Sequence, residues 1–267
     1  MSLILSPGGH RFGGHRSPLD SRDFGVERMP KLALLPSSVD LSKWCGPIRN
    51  QGQLGACTAF ASTAMLEFLF NKYKSKALIF SPEFQYYQER FLDGTLGQGD
   101  TGSTGRTAVK AINQFGVCLE SDDVYSDTIS DTPPTAEQVQ EALLYTSGAY
   151  HGITNLADMK SCIASGYGFI TGFTVYSSFE SDAMASSGLM PVPDESTEQV
   201  LGGHEVFFCG YDDSVKCPGA SSAGAFKVQN SWGTAWGQSG FFWFPYVSIA
   251  DPNVFMDAFI QHFGKPW

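Results

Sequence analysis

An α+β fold, helical in its first half and β-rich in its second, is what this sequence predicts, and three observations carry that prediction. The N-terminal half holds long segments with apolar residues at spacings of three and four. The C-terminal half holds short apolar runs broken by glycine, and helices followed by strands are the order of an α+β chain. With 267 residues, 42% of them hydrophobic and only 16% charged, the chain can bury a large core, and its length suits two modest lobes. Twenty-one phenylalanines make that core aromatic.

The elements follow in order. Asn50 to Ala56 contains two glycines and reads as a turn. Thr58 to Tyr73 reads as a helix, because Phe60, Ala61, Ala64, Met65, Phe68 and Leu69 form a wide apolar stripe that no Gly or Pro interrupts. Ser81-Pro82-Glu83 starts a second helix to about Leu92, with proline in the first turn. Ser103-Thr104 starts a third to about Phe115, closed by Gly116. Beyond Asp131-Thr132-Pro133-Pro134, segments 136–144 and 156–164 read as further helices. A glycine-broken strand runs from Tyr167 to Val175, and strands are expected at 204–211, 225–231 and 240–246.

Charge and cysteine content narrow the function. A net charge of −10 argues against nucleic-acid backbones as the principal partner, since those are bound through clustered Lys and Arg. No stretch is apolar for long enough to span a membrane, so no membrane partner is expected. Met1 to Ser6 is too short for a secretory signal, which leaves the compartment open between cytoplasm and export by a route the sequence does not display. If one of the six cysteines is a nucleophile, Cys45, Cys118, Cys162, Cys209 and Cys217 remain, an odd number that cannot all pair; Cys162 and Cys209 sit in apolar contexts that suit free thiols.

The chemistry lies in three separated motifs. Gln51-Gly52-Gln53-Leu54-Gly55-Ala56-Cys57 puts a cysteine where a helix begins, so unpaired N–H groups and the positive end of the helix dipole favour its thiolate. His204, after Gly202-Gly203 and before an apolar strand, is a candidate base that takes the thiol proton and returns it to a leaving amine. Asn230, in Asn230-Ser231-Trp232-Gly233, can accept the imidazole N–H and fix its orientation, with Trp232 shielding that bond from water. The Gln51 amide and the Cys57 backbone N–H are candidate donors to the oxyanion formed when a thiolate attacks a carbonyl. Any one of these taken singly is more often structural: a lone cysteine in an apolar helix is usually an inert core thiol.

Together, in the chain order Gln, Cys, His, Asn, they resemble the papain family of cysteine peptidases, and bacterial members with short leaders in particular. The resemblance runs from about Leu35 to Phe263, through Val39-Asp40, Ala59-Phe60-Ala61-Ser62, His204-Glu205-Val206, Gly210-Tyr211 and, most specifically, Val228 to Gly233 with Trp236-Gly237 and Gly240-Phe241. In that family the His and Asn follow the cysteine by about 130–150 residues; His204 falls within the window and Asn230 somewhat beyond it. The resemblance implies a two-lobe fold with Cys57 on one wall of the cleft and His204 on the other. It implies hydrolysis of peptide or protein substrates through a thioester, without metal or organic cofactor. It also implies that Gly102 and Ser103 pair with substrate backbone, and that Gly172, Gly202, Gly203 and Trp232 line the cleft. The domain division expected is a leader over 1–36 and a peptidase domain over 37–267, with a helical lobe at about 45–147 and a β-rich lobe at about 148–267. An acyltransferase of the transglutaminase kind usually orients its histidine with Asp, which Asn230 disfavours, and an inactive peptide-binding module would not be expected to keep all four residues.

Departures from the pattern matter. Leu54 stands where many relatives carry a disulfide cysteine, Thr58 where a bulky aromatic usually follows the nucleophile, and Glu205 where a small apolar residue follows the histidine. On a strand, Glu205 faces away from His204, so a solvated or salt-bridged carboxylate is expected, the alternative being a through-space effect on the imidazole. Asp194, Glu195 and Glu198 form an acidic loop expected beside the cleft. The leader is mildly basic and repeats a unit, Gly8-Gly9-His10-Arg11 and Gly13-Gly14-His15-Arg16. It reads as a tail, as a short prosegment that restrains activity by lying over the cleft, or as a cradle for an anion or phosphate. Extended at about 3.3 Å per residue it reaches about 100 Å, ample to cross the cleft.

Overall fold

The structure, a computed structural model, describes residues 5–20 and 34–263. Arg22, Arg28 and Lys31 of the leader, the start of the apolar run at Met1 and the final Gly264 to Trp267 lie outside the described residues. In chain order the elements are β1 (Gly14–His15), β2 (Ser38–Asp40), α1 (Cys57–Lys74), α2 (Pro82–Asp93), β3 (Ser103–Thr104), α3 (Gly105–Phe115), α4 (Ala136–Ala142), β4 (Tyr150–Gly152), α5 (Leu156–Ala164), β5 (Phe169–Tyr176), α6 (Asp182–Ser187), β6 (Val200–Asp212), β7 (Ala225–Gln229), β8 (Phe241–Pro245) and β9 (Phe255–Gln261). Helices thus precede a large sheet, the α+β papain-like arrangement expected.

Local chemistry explains the helix limits. The Ser81 hydroxyl accepts from the Phe84 N–H and Pro82 opens α2, whose end is turned by Gly94 in the left-handed region. Thr104 caps α3 by accepting from the Thr107 N–H, and Thr135 with Gln138 forms a capping box on α4. Helix α4 stops at Ala142, short of the expected 144. Helix α1 is buried on all sides from Cys57 to Phe70, so its polar side chains bond within the protein. Thr58 donates to Glu89 (2.5 Å), and Glu67 accepts from the Phe80 N–H (3.1 Å) and pairs with Arg49 (2.9 Å).

The seven-stranded sheet runs β4-β9-β5-β6-β7-β8, with β2 also on β6, and every pairing in it is antiparallel. Strand β6 starts at Val200, earlier than expected, because extended Gly202 and Gly203 pair with Val175 and Thr174. Strands β4 and β9 and helix α6 were not expected. One core of Phe169, Phe173, Phe208, Phe226, Phe242 and Phe244 packs with α5 and α6, and a second joins α1 and α3 to Ile170, Phe207, Cys209 and Phe259. Among the described residues no helix is long and apolar enough to cross a membrane.

Phe207 is fully buried and meets Phe68 of α1 at 5.4 Å between ring centres, so it joins helix to sheet. Phe207→Ala is expected to destabilise the protein by about 3–5 kcal/mol, read from the urea midpoint at unchanged slope. A midpoint within error of the parent would show that this contact does not hold the lobes together.

Candidate active site

Cys57 is the first residue of α1, preceded by Ala56, so no capping side chain takes up the helix's N-terminal N–H groups. The thiol is buried, and the backbone N–H groups of Glu205 and Gly13 face its sulfur. Burial is the largest influence on it, outweighs those N–H groups and pushes the thiol up to about 12.

His204 lies in β6 opposite Phe173 of β5. Its Nε2 is 2.8 Å from Asn230 Oδ1, the bond the sequence predicts. Trp232 stacks on the imidazole at 5.1 Å and 27°, while Phe173 and Phe12 meet it edge-on. Enclosure by these rings, the dominant influence, brings the imidazole down to about 4; the Asn230 bond opposes that fall and His10 adds slightly to it. The other ring nitrogen, Nδ1, has no hydrogen-bond partner among the described residues.

The Asn-Ser-Trp-Gly turn is stitched to the segment ahead of Cys57. Gln51 N–H donates to Ser231 O (2.9 Å), and Gly233 N–H to Arg49 O (3.0 Å). The Gln51 side chain accepts from Ser231 Oγ (2.6 Å) and donates one amide hydrogen to Leu54 O (3.0 Å), leaving its second hydrogen for another acceptor. The six cysteines are free thiols, and among the described residues no cluster of His, Cys, Asp and Glu could hold a metal ion.

The leader lies in this site. β1 pairs in parallel with β3, Gly13 O accepts from Ser103 N (2.9 Å), and Gly13 bridges to Gly203. His10 stacks on Trp232 at 3.9 Å and 9°, and Phe12 is buried. A Cβ on Gly102 would come 2.0 Å from Gly13 O, and one on Gly202 2.5 Å from Phe12 Cβ. Gly102, Ser103, Gly202, Gly203 and Trp232 therefore all meet the leader. Gly172 does not; a Cβ there would point at Glu205 and Asp257.

Three expectations need correcting. Glu205 is neither solvated nor salt-bridged: the face of β6 away from His204 is covered by α1 and α3, and the carboxylate is 1% exposed with no hydrogen-bond partner for either oxygen among the described residues. Nor does it figure among the influences on His204. The acidic loop keeps Asp194 and Glu195 exposed while Glu198 accepts from Ser178 N–H and Asp194 N–H and Glu195 from Asn253. The leader's basic side chains bond to other carboxylates, Arg11 to Asp100 (3.3 Å) and His10 to Glu180 (3.0 Å). The paired Gly-Gly-His-Arg units form no anion cradle: Gly8 N–H donates to Glu180, and Arg16 to the carbonyls of Pro252, Phe255 and Met256.

Sequence reasoning missed Asp100, which binds Gly55 N–H (2.9 Å) and Tyr86 OH (2.6 Å) as well as Arg11, and it missed Glu180 and Asp257. An isolated carboxylate in a loop or strand carries no spacing signal that would single it out.

The known proteins that this chain resembles are peptidases of one family. The profile of the family described as "Papain family cysteine protease" matches residues 35–251. An uncharacterized peptidase C1-like protein of Acanthamoeba polyphaga mimivirus is 34% identical over 246 residues, 88% of this chain and 74% of that protein. Cathepsin K of Mus musculus is 27% identical over 210 residues, 78% of this chain but only 59% of its own length. Among solved structures, xylellain, a cysteine protease from Xylella fastidiosa, is similar with a TM-score of 0.84 at 29% identity, covering 95% of this chain and 96% of that one. A procathepsin B from Trypanosoma congolense shares the fold at a TM-score of 0.71 and 17% identity, covering 94% and 86%.

A Cβ on Gly13 would fall 2.0 Å from Gly55 O, a backbone atom that cannot yield cheaply. Gly13→Ala should therefore lift the leader while the body stays folded. In the parent, the thiolate fraction is small below about 12 and grows with pH, so alkylation of Cys57 by iodoacetamide should be slow at pH 7 and climb through pH 9. In Gly13→Ala the rate at pH 7 should rise roughly 10-fold or more, since each unit by which the thiol falls is a factor of ten in thiolate. Equal rates in the two proteins would contradict the contact.

Proposed function

Because this chain belongs to the papain family of cysteine peptidases, we propose that it hydrolyses peptide bonds through a thioester on Cys57, and that the leader holds it closed. The His204–Asn230 bond beneath Trp232, on the strand whose next N–H faces the Cys57 sulfur, is the observation that carries this reading. His204 Nδ1 takes the thiol proton, and the thiolate adds to the substrate carbonyl carbon. The resulting oxyanion accepts from Cys57 N–H and the second amide hydrogen of Gln51. The imidazolium then gives its proton to the leaving amine, and His204 next activates the water that hydrolyses the thioester. Asn230 keeps the ring in the tautomer that leaves Nδ1 free. Gly102 and Ser103 are assigned to substrate backbone, with Gly172, Gly202, Gly203 and Trp232 along the cleft.

Two features support a closed leader. The Gly13 N–H faces the Cys57 sulfur, and the Gly13 carbonyl accepts from Ser103 N–H, the residue assigned to substrate backbone, so the leader occupies the place of a substrate. The thiol is raised and the imidazole lowered, so both stay neutral under the leader, and admitting water favours the charged pair. The leader is assigned to 1–36 and the peptidase domain to 37–267, with lobes at about 45–147 and 148–267.

Cys57→Ala should abolish peptide hydrolysis in a folded protein. Asn230→Ala should lower kcat roughly 10- to 100-fold with a smaller change in KM, the size of a lost hydrogen bond to a charged group. Hydrolysis by the Cys57→Ala protein at the parental rate would end the mechanism.

A further inference from the structure

Asp100 takes no part in the mechanism above, yet three donors converge on its buried carboxylate. Oδ2 accepts from the Gly55 N–H (2.9 Å) and from Arg11 (3.3 Å), and Oδ1 accepts from the Tyr86 hydroxyl (2.6 Å). Asp100 is 4% exposed and Tyr86 2%, so water does not compete for these bonds. The Tyr86 hydroxyl in turn accepts from the Gly102 N–H (2.9 Å). One carboxylate therefore gathers the segment ahead of Cys57, the approach to β3 and the leader itself.

The Gly55 bond matters because of the peptide that carries it. Leu54 O and Gly55 N–H belong to one planar unit, and each end of it is held: the carbonyl accepts from the Gln51 side-chain amide (3.0 Å), and the N–H donates to Asp100. Rotation of that plane breaks both bonds together. The Gln51 amide oxygen is fixed by Ser231 Oγ (2.6 Å), so the bond to Leu54 O decides which way the second amide hydrogen points. That hydrogen is the one assigned to the oxyanion. A charged acceptor on the Gly55 N–H also polarises the peptide, which strengthens Leu54 O as an acceptor. Gly55 needs such an anchor, because glycine leaves the backbone its widest freedom and no disulfide ties this segment, the six cysteines being free thiols.

We propose that Asp100 is a positioning residue for the oxyanion hole: through the Leu54–Gly55 peptide it aims the Gln51 amide at the negative charge that develops on the substrate carbonyl. This deepens the peptidase reading and rests on it. Asp100 touches no reacting atom and acts on the rate through Gln51. An amide that swings away once this anchor is lost still lets a peptide bind but no longer meets the oxyanion, so the effect belongs to the transition state. Arg11 shares the same carboxylate only while the leader is in place, whereas the donors Gly55 and Tyr86 belong to the body of the protein.

The test measures kcat and KM separately on the full chain with a fluorogenic peptide, in a cycle of Asp100→Ala, Gln51→Ala and the double variant, each checked for folding by thermal melting. Asp100→Ala should lower kcat roughly 10-fold or more, less than the roughly 100- to 1,000-fold of removing an oxyanion donor outright. In the Gln51→Ala background the same substitution should change kcat by less than about 2-fold, because the group it positions is gone. Arg11→Ala controls for the leader: an intramolecular competitor alters KM and leaves kcat, so this variant should keep the parental kcat. Asp100→Asn keeps the shape and one acceptor oxygen, and it should show a smaller loss of kcat that likewise vanishes without Gln51, so the cycle stands even where Asp100→Ala does not fold. An unchanged kcat, or an equal loss with and without Gln51, overturns the positioning role and leaves the peptidase standing. A parent that cuts no peptide overturns both.

Discussion

Burial of α1 against β5 and β6 is the constraint on which the rest of this structure depends. A helix enclosed from Cys57 to Phe70 cannot slide or rotate without exposing apolar side chains or stranding its polar ones. Its first residue is therefore fixed beneath β6, next to the N–H that follows His204. The same burial recruits the groups around it. Glu67 is pushed up to about 7 chiefly by enclosure, and Arg49 opposes that by pairing with it, while Arg49 O accepts from Gly233 N–H. The chain between Arg49 and Cys57 is thereby held to both helix and Asn-Ser-Trp-Gly turn, which fixes Gln51 in between. Chemistry at the helix start is a consequence of packing farther along it.

The leader exploits the same surface by shape more than by charge. Its backbone touches backbone at Gly13 against Gly55 and Gly102, and at Gly14 against Gly203, contacts that only glycine on both sides allows. Its basic side chains contribute at the ends, through Arg11 on Asp100 and Arg16 on three carbonyls. It lies over the Cys57 thiol and the His204 imidazole, and the burial of both favours the neutral form of each.

How much of this is legible in the sequence depends on whether a residue's role is set locally. The limits of α2 and α3 follow from a capping Ser or Thr and a closing Gly, all within a few residues, and those of α1 from its apolar spacing alone, since Ala56 gives it no side-chain cap and Ser75 closes it; the structure agrees within a residue or two. The His204–Asn230 pair is legible because both sit in short motifs of restricted composition. Strand β9 is not, because Phe255-Met256-Asp257 mixes exposures and becomes a strand only by pairing between β4 and β5. The leader's repeat misleads in the same way: identical Gly-Gly-His-Arg units meet Glu180 and Trp232 in one copy and Ser103, Gly203 and the carbonyls of Pro252, Phe255 and Met256 in the other. Alternation along β6 correctly turns Glu205 away from His204, yet it says nothing about whether that other face meets water or a helix.

That other face is where β6 gains its second use. One strand carries His204 toward the aromatic cage of Trp232, Phe173 and Phe12, and the very next residue, Glu205, toward the space left by Gly105 and Gly172. The pleat of a strand guarantees that these two side chains never compete for one volume. It also fixes the spacing of the two side chains by the backbone, independent of loop motion. A small apolar residue after the histidine would satisfy packing without any polar cost; a carboxylate there demands a cation or a proton. With Asp257 beside it and Ser17 of the leader bonded to Asp257, both Glu205 oxygens are left without a hydrogen-bond partner among the described residues, and burial answers that demand by holding the carboxyl toward its protonated form.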